Sequence, residues 1–332
     1  DEEIRRGISL YTSVIPIEYN DYKLNLLDTP GYTDFIGEVI SALSVVESAA
    51  ILVDAVAGLE VGTEIAWNYC DKFGLPRFLV INKMDRENAN FQKALASVQQ
   101  FSETRLIPVQ LPWGEKQNFQ GVIDVLTLKA FKGNGTTAEE IPADLLDAAK
   151  QAHAALVEAA AEGDDSLLEK YLEKGELSPE EILKGLIAVV HNRSFIPVFV
   201  ASGGHDIGSV PLLNAMVNLL PSPAERGEII AKGKDGDEII TAADAGPLAV
   251  YVWKTTADPF VGRQTYFKIF SGLVKGDMRL WNTTKEVEER VGAVFIPRGK
   301  EAIPISILHS GDIGIVPKLS VTATGNTLCD KT

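Results

Sequence analysis

The sequence predicts an α/β domain with a mostly parallel sheet and a helical insert, followed by an antiparallel β-barrel. Three observations carry this prediction. Apolar runs of strand length alternate with helix-spaced stretches over the first third of the chain. An acidic, helix-patterned piece interrupts that rhythm, which then resumes. Short alternating strands recur beyond a stretch rich in Gly, Asp and Lys. With 332 residues the chain is long enough to bury ordinary hydrophobic cores in two or three domains.

Tyr22 to Asp28 reads as a strand running into a turn at Pro30-Gly31. Asp34 to Ser48 carries Phe35, Val39, Leu43 and Val46 at helical spacing. Ala49 to Ala55 and Arg77 to Ile81 are short continuous apolar runs, the pattern of strands buried on both faces, with a helix from Gly62 to Phe73 between them. This order predicts a parallel sheet covered by helices, whose ligands bind beyond the carboxyl ends of the strands. Asp28 and Asn82 stand at such ends.

Residues 112–192 carry 15 acids against 7 bases. Leu145, Leu146, Ala149, Leu156 and Val157 mark a long amphipathic helix, and Leu167 to Glu173 a shorter one. Ser178-Pro179-Glu180-Glu181 starts a third, with an N-cap Ser, Pro at the first helical position and Glu three residues after the cap. Phe195 to Val200 resumes the buried-strand pattern, and Val210 to Leu220 reads as the returning helix. The expected organisation is therefore a first domain of 1–111 with 193–224, an acidic helical insert of 112–192, a linker of 225–245 and a barrel of 246–332. Barrel strands are predicted at Leu248 to Trp253, Tyr266 to Phe270, Met278 to Trp281, Glu289 to Phe295 and Ile313 to Pro317.

A net charge of −15 argues against a protein that coats nucleic acid over its whole surface. The barrel segment differs, with 11 bases against 8 acids. Lys254, Arg263, Lys268 and Arg279 are scattered through it, as a solvated barrel edge or an RNA-facing surface would require. Cys70 and Cys329 form no Cys/His cluster, which excludes a disulfide scaffold or a zinc module. No apolar run approaches the roughly 18 residues that span a bilayer, and the chain opens on Asp1, Glu2 and Glu3. A cytoplasmic location, away from membranes, is expected.

Three segments at strand ends carry the chemistry. Asp28-Thr-Pro-Gly31 places a carboxylate and then a glycine at a strand end: the carboxylate can hold a water of Mg2+, and an unobstructed N–H can approach a terminal phosphate. By itself the segment is also an ordinary turn. Asn82-Lys83-Met84-Asp85 is more specific. Guanine presents N1–H and its 2-amino group side by side, so one ionised carboxylate accepts both, whereas adenine has no such pair. Lys83 can lay its stem along the base while its ammonium stays wet, and Asn82 can tie neighbouring loops together. Ala201-Ser202-Gly203-Gly204 follows the next buried strand, where a backbone N–H could meet guanine O6.

Together these segments resemble a translational GTPase, most closely the bacterial elongation factor G family. Arg6-Gly7-Ile8-Ser9 is similar to the end of switch I, with Ser9 in place of the usual Mg2+-ligating Thr. Asp28 to Gly31 resembles switch II, Asn82 to Asp85 the guanine-specificity loop, and Ser202-Gly203 the last base-contacting loop. Ala257 to Arg263 and Asn282-Thr-Thr-Lys285 resemble the family's second, β-barrel domain. The resemblance implies a P-loop-type GTPase domain, GTP or GDP with Mg2+ as ligands, Ser9 and Asp28 on the metal side, and Gly31 at the γ-phosphate. It also implies a monomer that works on the ribosome, near ribosomal RNA and the stalk protein, coupling hydrolysis to tRNA and mRNA movement.

Two departures qualify it. No Gly-x-x-x-x-Gly-Lys-Ser/Thr loop occurs in the sequence, so the β-phosphate would lack its amide cradle and lysine, and a fragment inactive on its own is expected. Tyr32 follows Asp-Thr-Pro-Gly where most of the family has His. A phenol can hydrogen-bond a water but cannot carry the positive charge of an imidazolium. Tyr32 therefore either orients water or packs the switch helix against the core, and an elongation factor G-like paralogue is favoured. A regulatory ribosome-binding paralogue with weak hydrolysis and a ribosome-protection GTPase remain the alternatives. His205, just after the last loop, is expected to face solvent, with nucleotide contact as the alternative. His153 is expected on a helix surface, and His191 and His309 without paired ligands nearby.

Overall fold

The computed structural model describes residues 2–233, 236–258 and 262–330. Pro259, Phe260 and Val261 of the 257–263 stretch, Lys234 and Asp235 of the expected linker, and Asp1, Lys331 and Thr332 at the two ends lie outside the described residues. The chain forms two compact units, one of residues 48–220 and one of residues 1–47 with 221–332.

The first of these units is built on a four-stranded parallel sheet in the order Ala49–Asp54, Arg77–Asn82, Phe195–Val200, Arg105–Pro108. The two central strands are the most apolar runs of the chain and are almost wholly buried, as strands with neighbours on both edges and helices on both faces must be. Helices Val61–Phe73, Phe91–Phe101 and Ser209–Leu219 belong to the same unit. Gly74 closes the first in the left-handed conformation that a helix C-terminus favours.

The insert keeps the predicted helices, Leu146–Ala161, Asp165–Lys174 and Pro179–His191, and Ser178 and Glu181 form the predicted capping box. It also contains an antiparallel sheet of strands Gln110–Trp113, Gly121–Asp124, Lys129–Lys132 and Ala138–Glu139, where only helices were expected. Strands of four residues or fewer are too short to show a period. Insert and sheet share one core containing Phe78, Leu156, Leu186, Val189, Phe195 and Phe199. Two of its helices touch backbone to backbone: a Cβ on Gly185 would lie 2.1 Å from the Ala160 carbonyl oxygen. His153 is not a free surface residue, because its Nδ1 lies 2.7 Å from the Val125 carbonyl oxygen.

In the other unit, Tyr22–Asp28 does not join the parallel sheet. It pairs antiparallel with Ser13–Tyr19 across Asn20 and Asp21, whose φ values of 48° and 63° make a tight two-residue turn. The helix after Asp28 is also shorter than predicted, a 3-10 turn at Thr33–Phe35 leading into Ile36–Leu43. The expected linker contains a hairpin, Ile229–Lys232 with Asp237–Ile240. Beyond it, eight antiparallel strands form one sheet around a core of Val250, Val252, Phe267, Ile269, Leu280 and Leu328, among others. The predicted strand Glu289 to Phe295 is in fact two, Val287–Arg290 and Val294–Arg298, parted at Gly292.

Two of the barrel's cations are not on its surface. The Lys254 ammonium lies 2.7 Å from Glu38 and donates to the Thr12 carbonyl at 3.1 Å. Lys268, 3% exposed, pairs with Glu47 at 3.0 Å. Neither is available to RNA. His309 has a partner as well, Asp244 at 2.7 Å. Among the described residues no helix is long and apolar enough to cross a membrane.

Candidate functional site

The base-side residues are brought together by strand order. Arg77–Asn82 and Phe195–Val200 are parallel neighbours with Ile81 opposite Val200, so the loops that follow them emerge side by side. The Ala201 N–H donates to the Ile81 carbonyl at 3.0 Å and the Met84 N–H to the Ala201 carbonyl at 3.3 Å. Met84, 1% exposed, pins the first loop to the core. Asn82 Oδ1 accepts from the N–H of Lys83 at 2.8 Å and of Gly203 at 3.0 Å, tying the loops across 121 residues of sequence. Lys83 takes a positive φ of 61° within this arrangement.

Asp85 lies at the junction. The wholly buried Ser202 donates its hydroxyl to Asp85 Oδ1 at 2.5 Å, and His205 Nε2 lies 3.3 Å from Oδ2. The Ser202 hydrogen bond, with smaller help from the charges of His205 and Arg86, holds the Asp85 carboxyl below its ordinary range. Asp85 is therefore an ionised, partly exposed acceptor with lone pairs to spare. Packing within the protein does not itself demand glycine at 203. A Cβ there would sit 3.7 Å from Asn82 Oδ1, an ordinary contact.

Two further residues belong to this group: Asp54, which the sequence did not single out, and His205, which it placed in solvent with nucleotide contact as the alternative. Asp54, opposite Asn82 in the sheet, accepts from Lys83 Nζ at 3.0 Å and Arg86 at 3.1 Å. The Lys83 ammonium is thus held at a carboxylate rather than left free in water. His205, 65% exposed as expected of a loop residue, is the other. The signal for Asp54 in the sequence was its place at the end of a buried run, as for Asn82.

The phosphate-side candidates lie in the unit containing the hairpin. Glu3 accepts the N–H groups of Leu10 at 2.8 Å and Tyr11 at 3.2 Å, folding the segment around Ser9 back on the short helix Glu2–Arg6. Asp28 ends its strand, and loss of water around it, together with the charge of Glu3, pushes its carboxyl above the ordinary range. Nothing in the protein lies within 4 Å of a Cβ built on Gly31, so the fold itself does not demand glycine there. Tyr32 is 58% exposed at the start of the 3-10 turn, and its side chain makes no cap hydrogen bond there.

These residues fit Mg2+. Ser9 and Asp28 are hard oxygen donors, and a cation beside Asp28 would relieve the electrostatic cost now carried by its carboxylate. Among the described residues no group of three or more His, Cys, Asp or Glu could hold a metal ion. Mg2+ needs none, since it binds through one or two protein ligands plus water and phosphate oxygens.

Comparison with known proteins places both parts of the chain. Residues 1–222 match the family model described as the elongation factor Tu GTP binding domain. Residues 247–331 match elongation factor G domain 2. The crystal structure of a Thermus thermophilus protein, titled only by the designation ttk003000868, superposes with a TM-score of 0.87 at 30% sequence identity, covering 100% of this chain and 47% of that one. The chain thus spans about half the length of the structure it matches. It belongs to the translational GTPases of the elongation factor Tu and elongation factor G type.

Proposed function

We propose that Asn82, Lys83, Asp85, Ser202 and Gly203 select the guanine base of GTP or GDP. Asp85 accepts the N1–H and 2-amino hydrogens, Ser202 fixes the rotamer of that carboxylate, and Asn82 holds the Gly203 loop where its backbone faces the base. Lys83, anchored through Asp54, lays its methylene stem along the ring. What supports this most directly is the pair of bonds Ser202 Oγ to Asp85 and Gly203 N to Asn82, which build one acceptor site from two distant loops.

On the phosphate side, Ser9 and, through a water, Asp28 would hold Mg2+, whose charge when bound stabilises the negative phosphate oxygens. The Gly31 N–H would meet the γ-phosphate, and the exposed Tyr32 phenol would orient the attacking water. Such hydrolysis depends on positioning and charge stabilisation. In the intact protein we infer ribosome-dependent GTP hydrolysis, coupled to tRNA and mRNA movement, with ribosomal RNA and the stalk protein as partners.

Titration of the intact protein with a fluorescent GDP in Mg2+ tests the reading. Displacement by unlabelled GTP but not by ATP is expected. Absence of binding, or equal displacement by ATP, would refute it.

A further inference from the structure

Resting on that assignment of the base site, we propose that His205 is a specificity-positioning residue that competes with guanine for Asp85, so that guanine-nucleotide affinity weakens as its imidazole gains a proton. The geometry is specific. His205 closes the 3-10 turn Gly203–His205, its N–H donating to the Ser202 carbonyl at 3.2 Å, and Asp206 follows in the left-handed region at φ 52°. This sharp turn brings the imidazole back over the guanine-reading loop, with Nε2 3.3 Å from Asp85 Oδ2.

Guanine needs both carboxylate oxygens, one for N1–H and one for the 2-amino group. Oδ1 already accepts the Ser202 hydroxyl and has a second lone-pair direction for the base. The imidazole stands 3.3 Å from Oδ2, within ion-pair distance, so base and histidine contest that side of the carboxylate. A neutral imidazole yields one hydrogen bond. An imidazolium adds a full charge and is harder to displace.

The charges nearest His205 are already engaged. The Lys83 and Arg86 cations are both bonded to Asp54, and Asp206 accepts the Ser209 hydroxyl at 2.5 Å. Histidine side chains in general titrate near pH 6.5, the carboxylates well below it and the cations well above. Because the pair is largely exposed, the effect is modest: a weakening of about two- to fivefold, the size of one solvated ion pair.

The test is the affinity for fluorescent GDP at about pH 8 and about pH 5.5 in the intact wild-type protein and in its His205→Gln variant. The wild type should lose about two- to fivefold more affinity on acidification than the variant, and His205→Gln should bind at least as tightly as the wild type at the lower pH. Equal pH dependence in both proteins, with GDP still preferred over ATP, would overturn the role of His205 and leave the base-site reading standing. No GDP binding by either protein would overturn both.

Discussion

Replacing Glu38 with Gln should loosen the unit formed by residues 1–47 and 221–332, and the structure sets the size of the effect. The Glu38 carboxylate accepts the Thr12 N–H at 2.7 Å and the Lys254 ammonium at 2.7 Å. The Lys254 side chain is 8% exposed, so losing the negative charge leaves a buried cation with neutral oxygens alone, the Thr12 carbonyl at 3.1 Å and the amide oxygen the variant retains, beside the rings of Tyr11 and Tyr266. Breaking a fully buried pair costs about 3–5 kcal/mol. Here the Glu38 side chain is 23% exposed and Lys254 keeps neutral oxygen partners, so about 2 kcal/mol is expected. That corresponds to a fall in Tm of about 4–8 °C for a unit of this size. Urea unfolding of Glu38→Gln, Lys254→Met and the double variant would give a coupling energy on the order of 1–2 kcal/mol. A loss below about 0.5 kcal/mol in Glu38→Gln would refute the reasoning, because it is what a solvated surface pair delivers.

Acid gives the same test independently. Burial raises the Glu38 carboxyl, but the Lys254 and Thr12 bonds outweigh it and hold the group below its ordinary value. The stabilisation is therefore complete above the ordinary carboxyl range and is lost as pH falls through the lower, folded value. The gap between wild type and Glu38→Gln should be constant near neutrality and close in acid.

Gly185→Ala places a methyl 2.1 Å from the Ala160 carbonyl oxygen, and backbone cannot swing aside. A loss of about 2 kcal/mol in urea unfolding is expected despite alanine's better helix propensity, and a neutral result would contradict the helix contact. Cys70 is 1% exposed, and burial pushes its thiol up to about 11. A thiol reagent at about pH 8 should modify Cys329 first and Cys70 only as the protein opens, and one fast phase for both would be wrong for this structure.

The parts of the fold that sequence could reveal are those where one residue pattern meets one environment. Arg77–Asn82 and Phe195–Val200 are apolar at every central position because both faces are covered, and Ser178-Pro-Glu-Glu starts its helix because each residue satisfies a local requirement. The Tyr22–Asp28 strand was misplaced because strand character does not specify a partner. Its partner was set by Asn20-Asp21, a turn of two residues that precedes the apolar run. The antiparallel strands of the insert and the 229–240 hairpin were missed because each is four residues or shorter.

The site divides in the same way. Asn82, Asp85 and Ser202 were legible because guanine's donor pair demands a carboxylate on a fixed loop. That the two loops meet follows only from adjacency of the central strands, which joins residues 82–85 to 201–205. Asp54 was hidden because a lone acid carries no spacing signal, and His205 could be placed only as a loop residue after Ser202-Gly203-Gly204. Lys254 and Lys268 looked like surface cations because their partners, Glu38 and Glu47, lie more than 200 residues away in the chain.

The central claim is that Asp85 reads the base, and the base preference of Asp85→Asn tests it most directly. Xanthine carries an oxygen where guanine has its 2-amino group, so an asparagine amide N–H can donate to it while guanine loses its double acceptor. The variant should lose affinity for GDP by at least about tenfold, the worth of one charge-assisted hydrogen bond, and gain affinity for xanthosine diphosphate. Unchanged GDP binding, or equal weakening toward both nucleotides, would contradict the claim that this carboxylate selects guanine.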